Sequence, residues 1–240
     1  MSGVAYDFAG AHVLVTGGTS GIGAATAAAY RAAGAEVTIT GTRGSAADYD
    51  DDLSAYRYLQ MDVEDGASID AVATALPRLD VLVNNAGLMP IRPMAEVNTD
   101  EWDQMIDVNL KGTLYGIAAT LPGFLEQGSG HIINLSSVAG IKVFAPGGTV
   151  YSGTKFAVSA ISEGLRQEVG EKVRVTSIEP GAVESDLKFT TSGTVAETVL
   201  DFYKQAIPAA SVARAIAFAA EQPDDVDIIA IVIRPTAQQF

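Results

Sequence analysis

An open α/β sheet, parallel and doubly wound with helices on both faces (the Rossmann-type arrangement), is the fold class the sequence predicts. Three observations predict it. Short β-branched runs alternate with longer segments of helical periodicity, the pattern of strand–helix–strand units. The runs are apolar at consecutive positions, as strands covered on both faces must be. Chemistry-bearing residues fall just past the ends of those runs, along the edge where open parallel sheets bind ligands. At 240 residues, 48% hydrophobic and 18% charged, the chain suits a single domain with about seven strands.

The first strand is "HVLVT" at 12–16, and "TGGTSGIG", Thr16 to Gly23, follows it and opens a helix near Ile22. Glycines at 17, 21 and 23 permit a tight turn and bring a pyrophosphate close to the helix N-terminus, where unpaired N–H groups and the dipole favour anions. The spacing is G-x-x-x-G-x-G rather than the general G-x-G-x-x-G, and no Walker lysine follows, which argues against a P-loop ATPase. "EVTIT" is the second strand, followed by Gly41, Thr42 and Arg43. The acidic run "DYDDD" at 48–52 lacks the glycine and distal glutamate of a calcium loop and reads as a solvated loop. "YRYLQM" is the third strand, ended by Asp62, and a helix begins near Ala67.

"DVLVN" is the fourth strand, closed by "NNAG", Asn84 to Gly87. Asparagine is an unusual way to close a buried strand unless its amide pins backbone or meets a ligand. A helix starting near Thr99 carries Asn109, and "HIINLS", the fifth strand, delivers Ser136 and Ser137. The helix at "YSGTK" places Tyr151 and Lys155 one turn apart on one face. "VRVTSI" is the sixth strand and ends in "EPGAV", with Pro180 and Gly181 at the ligand edge. The stretch 186–206 has broken helical continuity and several apolar residues, and it is a lid candidate; a helix near Pro208 and the strand "DIIAIVI" complete the sheet.

Composition narrows the function classes. Asp plus Glu outnumber Lys plus Arg 29 to 15, and a net charge of -14 repels phosphate backbones, so nucleic acid is not an expected partner. The absence of cysteine excludes disulfides, thiolate metal sites and a catalytic thiol. His12 and His131 each begin a strand without clustered ligands, so packing or solvent contact is expected there, not a metal. The start of the chain has no basic segment followed by a long apolar one, and no apolar run approaches membrane-spanning length; a soluble cytoplasmic protein is expected.

With the glycine turn, "NNAG", Ser137, "YSGTK" and "PGAV" in this order, the chain resembles the short-chain dehydrogenase/reductase family from about Ala9 to its C-terminus. From Met89 onward it looks most like NADP-dependent reductases of broad substrate range. The resemblance implies a catalytic tetrad of Asn109, Ser137, Tyr151 and Lys155, with Ser136 the competing serine. Tyr151 would exchange the proton with the substrate oxygen, Lys155 would hold the nicotinamide ribose and draw the phenol's pKa down, Ser137 would orient the oxygen, and Asn109 would hold a relay water. It implies cofactor contacts from Gly17, Thr19, Ser20, Gly21, Ile22 and Gly23 in the first turn, and from Thr42, Arg43, Asp62 and Val63 after the next two strands. Asn84, Ala86 and Gly87 would follow the fourth strand, and Pro180, Gly181, Val183 and Ser185 the sixth, with Tyr151 and Lys155 completing the set.

An acidic residue closing the second strand would grip a ribose 2′-hydroxyl and repel a 2′-phosphate; Gly41 stands there instead, with the hydroxyl of Thr42 and the cation of Arg43 beyond it. NADP(H) is therefore expected over NAD(H), which stays a second cofactor. Met89, Ile91, Val143, Phe144, Leu187, Phe189, Phe202 and Tyr203 are expected to face an apolar ketone or secondary alcohol, with Arg92 the nearby cation. The family suggests a homotetramer, or a homodimer, built from the Asn109 and Tyr151 helices and the last strand. Against these stand a catalytically silent dinucleotide sensor, a nucleoside-cofactor methyltransferase that would leave "YSGTK" unexplained, and an epimerase or dehydratase, for which the chain has no room.

Overall fold

The computed structural model describes residues 6–76, 78–191 and 193–238. Met1 to Ala5 of the N-terminal segment and Ser192 of the lid candidate lie outside the described residues. Seven strands form one parallel sheet: β1 (His12–Val15), β2 (Glu36–Gly41), β3 (Arg57–Gln60), β4 (Val81–Asn84), β5 (His131–Leu135), β6 (Arg174–Pro180) and β7 (Ala230–Ile233). Their order is β3-β2-β1-β4-β5-β6-β7, so the direction of winding reverses between β1 and β4. A reversal of that kind leaves a crevice beyond the strand ends.

Alternation along each strand divides the core. Val13 and Val15 of β1 face α1 (Gly21–Ala32) and α7 (Ala209–Ala220), packing with Ala27, Tyr30, Val212 and Ile216, while Leu14 between them faces the other side. There Leu14, Leu82, Ile132 and Val175 pack under α2 (Gly66–Ala75), α4 (Gly112–Gln127) and α5 (Thr149–Val169). Period-two alternation with both faces apolar is what makes the runs read as continuous hydrophobic stretches. The seventh run departs from this: Ile229 and Val232 are about half exposed, because β7 is the sheet edge.

The helix expected from Thr99 is three pieces in one rod: α3 (Thr99–Met105), a wider π-helical segment from Ile106 to Lys111, and α4. Asn98 caps its start by accepting from the Glu101 N–H. Such π segments are rare and occur frequently at functional sites.

Candidate active site

The glycine turn is built for close approach. Gly17 (φ 61°) and Gly21 (φ 53°) occupy the left-handed region, and a side chain on Gly17 would sit 3.0 Å from the Ala86 Cα. Thr16 Oγ1 accepts from the N–H groups of Asn85 and Ala86, and the Asn85 amide donates to the carbonyls of Thr16 and Gly17, so the fourth strand's exit pins the first strand's exit. Ser20, at the N-cap of α1, makes no capping hydrogen bond with its side chain, which leaves the first-turn N–H groups and the hydroxyl available to an anion.

Two expected cofactor contacts are corrected here. Asn84 is turned away from the cleft because alternation points it under α4: its Nδ2 donates to Asn134 Oδ1 at 2.9 Å and it is buried. Gly23 is not part of the cleft wall either; it lets α1 press onto the Gly17 carbonyl and the Asn85 amide, where any β-carbon would overlap them. The remaining expected contacts, from Gly17, Thr19, Ser20, Gly21, Ile22, Thr42, Arg43, Asp62, Val63, Ala86 and Gly87 to Pro180, Gly181, Val183 and Ser185, all line one cleft of about 860 Å³ together with Ser137, Tyr151 and Lys155.

At the far end of the cleft, the Arg43 guanidinium lies 4.6 Å from the centre of the Tyr49 ring and donates to the Asp48 carbonyl. Tyr49 Oη accepts from the Arg43 N–H at 3.1 Å, and Tyr58 Oη donates to the carbonyls of Gly41 and Arg43. The carboxylates of the acidic run do not line the cleft, and that of Asp48 folds back onto the N–H and hydroxyl of Ser45. Tyr49 was not expected in the wall: an aromatic in a short acidic loop gives no periodicity to read.

At the near end, β5 delivers two serines with different surroundings. Ser136 Oγ donates to the Lys155 carbonyl and meets Ser159 Oγ at 2.8 Å, which ties β5 to α5. Ser137 Oγ accepts from the Ala139 N–H and donates to the Pro180 carbonyl, and it lies near enough to the Tyr151 phenol to pull its pKa downward. Lys155 Nζ donates to the Leu135 carbonyl at 2.8 Å and sits 5.8 Å from the centre of the Tyr151 ring.

Asn109 lies behind this group, 1% exposed, and does not line the cleft. Its Oδ1 accepts from the Leu88 N–H, while Nδ2 donates to the Leu88 carbonyl and to Thr154 Oγ1. Both amide hydrogens are therefore engaged, and the side chain ties the β4 exit loop to the helical turn that carries Lys155. Asn109 makes this tie from within the π segment, Ile106–Lys111.

The electrostatics correct the expected pKa. Burial pushes the Tyr151 phenol up to about 12, with the Ser137 hydroxyl pulling weakly the other way, and burial pulls Lys155 down to about 8. The Lys155 ammonium beside the ring favours the phenolate by Coulomb attraction. Full burial shifts a group by up to about 3–5 units, so desolvation outweighs the neighbour. In this state the phenol is a proton donor.

The substrate-side wall is apolar: Met89, Phe144, Leu187, Phe202 and Tyr203, with Val143 at the rim. Ile91 and Phe189 do not belong to it. Ile91 is fully buried under Gly147, and Phe189 is 66% exposed outside the cleft. Arg92 is engaged elsewhere, in a bidentate pair with Glu101 and a longer contact with Glu96. His131 bonds to Thr176 in the core, and His12 lies 3.5 Å from Glu36 at the start of β1 and β2, away from the cleft. Sequence reasoning missed Lys142, Gln104 and Gln238 in the wall; Gln238 accepts from the Ala182 N–H, a contact that nothing local in the sequence signals.

Comparison with known proteins places this arrangement. The family model for short chain dehydrogenases matches residues 11–194. An uncharacterised oxidoreductase of Staphylococcus saprophyticus is 41% identical over 95% of this chain and 97% of its own, and one of Listeria monocytogenes is 36% identical with the same coverage. Among solved structures, a serine dehydrogenase in its closed form complexed with NADP+ matches with a TM-score of 0.86 and 33% identity, over 95% of this chain and 96% of that one. The serine dehydrogenase of Escherichia coli matches with a TM-score of 0.80 and 32% identity, over 95% and 100%.

Proposed function

The chain belongs to the short-chain dehydrogenase family, and on that premise we propose that it is an NADP(H)-dependent carbonyl reductase and alcohol dehydrogenase acting on apolar ketones and secondary alcohols. The observation that carries this is the meeting of Ser137, Tyr151 and Lys155 in the same cleft as the glycine-turn cradle. The cradle fits a dinucleotide: left-handed glycines, an uncapped helix N-terminus and a close backbone wall at Ala86 leave room for a pyrophosphate. The bound nicotinamide would exchange a hydride with the carbonyl carbon. Tyr151 donates the proton to the substrate oxygen or takes it back, Ser137 orients that oxygen, and Lys155 supplies positive charge beside the phenol.

Arg43 supports the NADP(H) preference, with NAD(H) as the poorer cofactor; a related serine dehydrogenase is complexed with NADP+. The stretch 186–206 acts as a lid, contributing Asp186, Leu187, Phe202 and Tyr203 to the wall and meeting the β4 exit loop through Thr194 and Glu96. The homotetramer is favoured by apolar side chains left exposed on α4, α5 and the edge strand: Leu114, Leu125, Phe156, Ile229 and Val232. Light scattering on the purified protein tests it. Among the described residues no helix is long and apolar enough to cross a membrane.

The test of the reaction is steady-state rates with NADPH and NADH over a panel of aryl and cyclic ketones, and in reverse with the alcohols. Cofactor binding without turnover on any of them would favour a silent sensor and overturn the proposal. The pH profile has a stated sign. Reduction needs the protonated phenol, held up to about 12, and the Lys155 ammonium, which is lost as pH rises through about 8. Reduction is therefore expected to fall above about pH 8, whereas oxidation, which needs the phenolate, gains with pH.

Cofactor choice gives a second expectation. A side chain at position 41 would run into the Tyr49 hydroxyl, which is held in place by Arg43. Gly41→Asp alone is thus expected to weaken both cofactors. Gly41→Asp combined with Tyr49→Ala opens the space, and its ratio of kcat/KM for NADH over NADPH is expected to rise at least about tenfold above wild type. A single Gly41→Asp change that already delivers that rise would show that Tyr49 offers no obstruction.

A further inference from the structure

Tyr203 stands out among the wall residues. It lies in a short helical turn, Tyr203–Gln205, after α6 (Ala196–Phe202), and packs in the same apolar cluster as Tyr151, Met89, Leu187 and Phe144. Its ring meets Phe202 edge-on at 5.9 Å. Its hydroxyl points to Met89 Sδ at 3.6 Å, the only hydrogen-bond partner it has among the described residues. A thioether is a weak acceptor. Partly buried against such a partner, the phenol gains less than a full hydrogen bond from it. Burial, with Tyr151 alongside, pushes the Tyr203 phenol well above its ordinary value, so it stays a donor throughout the working range.

Ser137 and Tyr151 account for the reacting oxygen, and Lys142, Gln104 and Asp186 are further polar members of the wall. Tyr203 adds a third hydroxyl on the same side of the cleft, near enough for a charge on Tyr151 to be felt. We propose that Tyr203 is a specificity-determining residue whose hydroxyl, donating only to a weak thioether acceptor in this structure, donates to a second oxygen of the substrate, so that ketones and alcohols bearing an oxygen on the neighbouring carbon are selected over mono-oxygenated analogues. The inference rests on the reductase activity proposed above. A site that holds such an oxygen leaves the donor with only its weak thioether partner when the oxygen is missing, which discriminates against the analogue that lacks it.

The test compares acetophenone with 2-hydroxyacetophenone, two aryl ketones differing by one hydroxyl, under NADPH. Wild type is expected to favour 2-hydroxyacetophenone by at least about tenfold in kcat/KM, and Tyr203→Phe to reduce that ratio by at least about tenfold. A residue that only supported the fold would lower both rates and leave the ratio unmoved, so an unchanged ratio in Tyr203→Phe, or no preference in wild type, overturns the inference while the reductase activity stands. Failure to reduce any ketone of the panel although NADPH binds overturns the activity itself, and this selection with it.

Discussion

Tyr151→Phe is expected to lower kcat for ketone reduction by roughly 10²- to 10⁴-fold, the range over which a positioned acid contributes. The ring remains to fill its place among Met89, Ala139 and Val199, so the fold has no reason to change. Ser137 keeps its bonds to Ala139 and Pro180 and still orients the oxygen. What disappears is the proton. A phenol raised to about 12 by burial is weakly acidic in water's terms, yet the alkoxide formed by hydride arrival is a far stronger base, and transfer to it is downhill. The measurement is single-turnover reduction with saturating NADPH, paired with the NADPH dissociation constant. A fall in kcat with binding held nearly constant marks the loss of a group used in the transition state. A loss smaller than about tenfold would remove Tyr151 from the role, and water or another donor would have to carry it.

The fold was legible because strand, glycine turn and helix repeat in a fixed order, and all seven strands lie where the apolar runs placed them. Much of the site was legible for the same reason: a parallel sheet puts every strand exit on one edge, so residues far apart in the chain had to meet there. What failed was orientation and medium. Asn84 and Asn85 look alike as a pair, but Asn84 shares the face of Leu82, which points under α4; counting parity along β4 would have assigned the cleft to Asn85. The π segment left no trace, since "DVNLKG" reads as ordinary helix and the Asn109 side chain is bonded to Leu88, 21 residues away. Phe189 and Ile91 failed because short turns carry no periodicity to say which side faces the cleft. The Tyr151–Lys155 spacing fixed their proximity but said nothing of burial, and burial decided the sign of both pKa shifts.

Lys155→Met is expected to separate activity from stability. Removing the ammonium should cost roughly 10²-fold or more in kcat/KM, because positive charge in a buried site stabilises the developing oxyanion more than it would in water. It should also raise KM for NADPH if Lys155 holds the ribose. Stability should move the other way at neutral pH. Lys155 is 6% exposed and its ammonium is pulled from 10.5 to about 8 by burial, so carrying the charge costs the folded state about 3 kcal/mol below pH 8. Methionine matches its length and needs no solvation, but it leaves the Leu135 carbonyl without a donor, which costs about 1–3 kcal/mol. These terms nearly offset, so the net change at pH 7 lies between zero and about 2 kcal/mol in the variant's favour.

The pH dependence is sharper than that difference. Because the folded pKa is depressed, the full stability of wild type is present above the unfolded value of 10.5 and is lost as pH falls through about 8. Groups common to both proteins cancel in the comparison. Urea midpoints at pH 7 and pH 10.5 should therefore show the variant's advantage shrinking, or reversing, at the higher pH. An advantage that does not change between the two would mean that burial does not depress the Lys155 pKa in the folded protein, and the fall in reduction expected above about pH 8 would lose its cause.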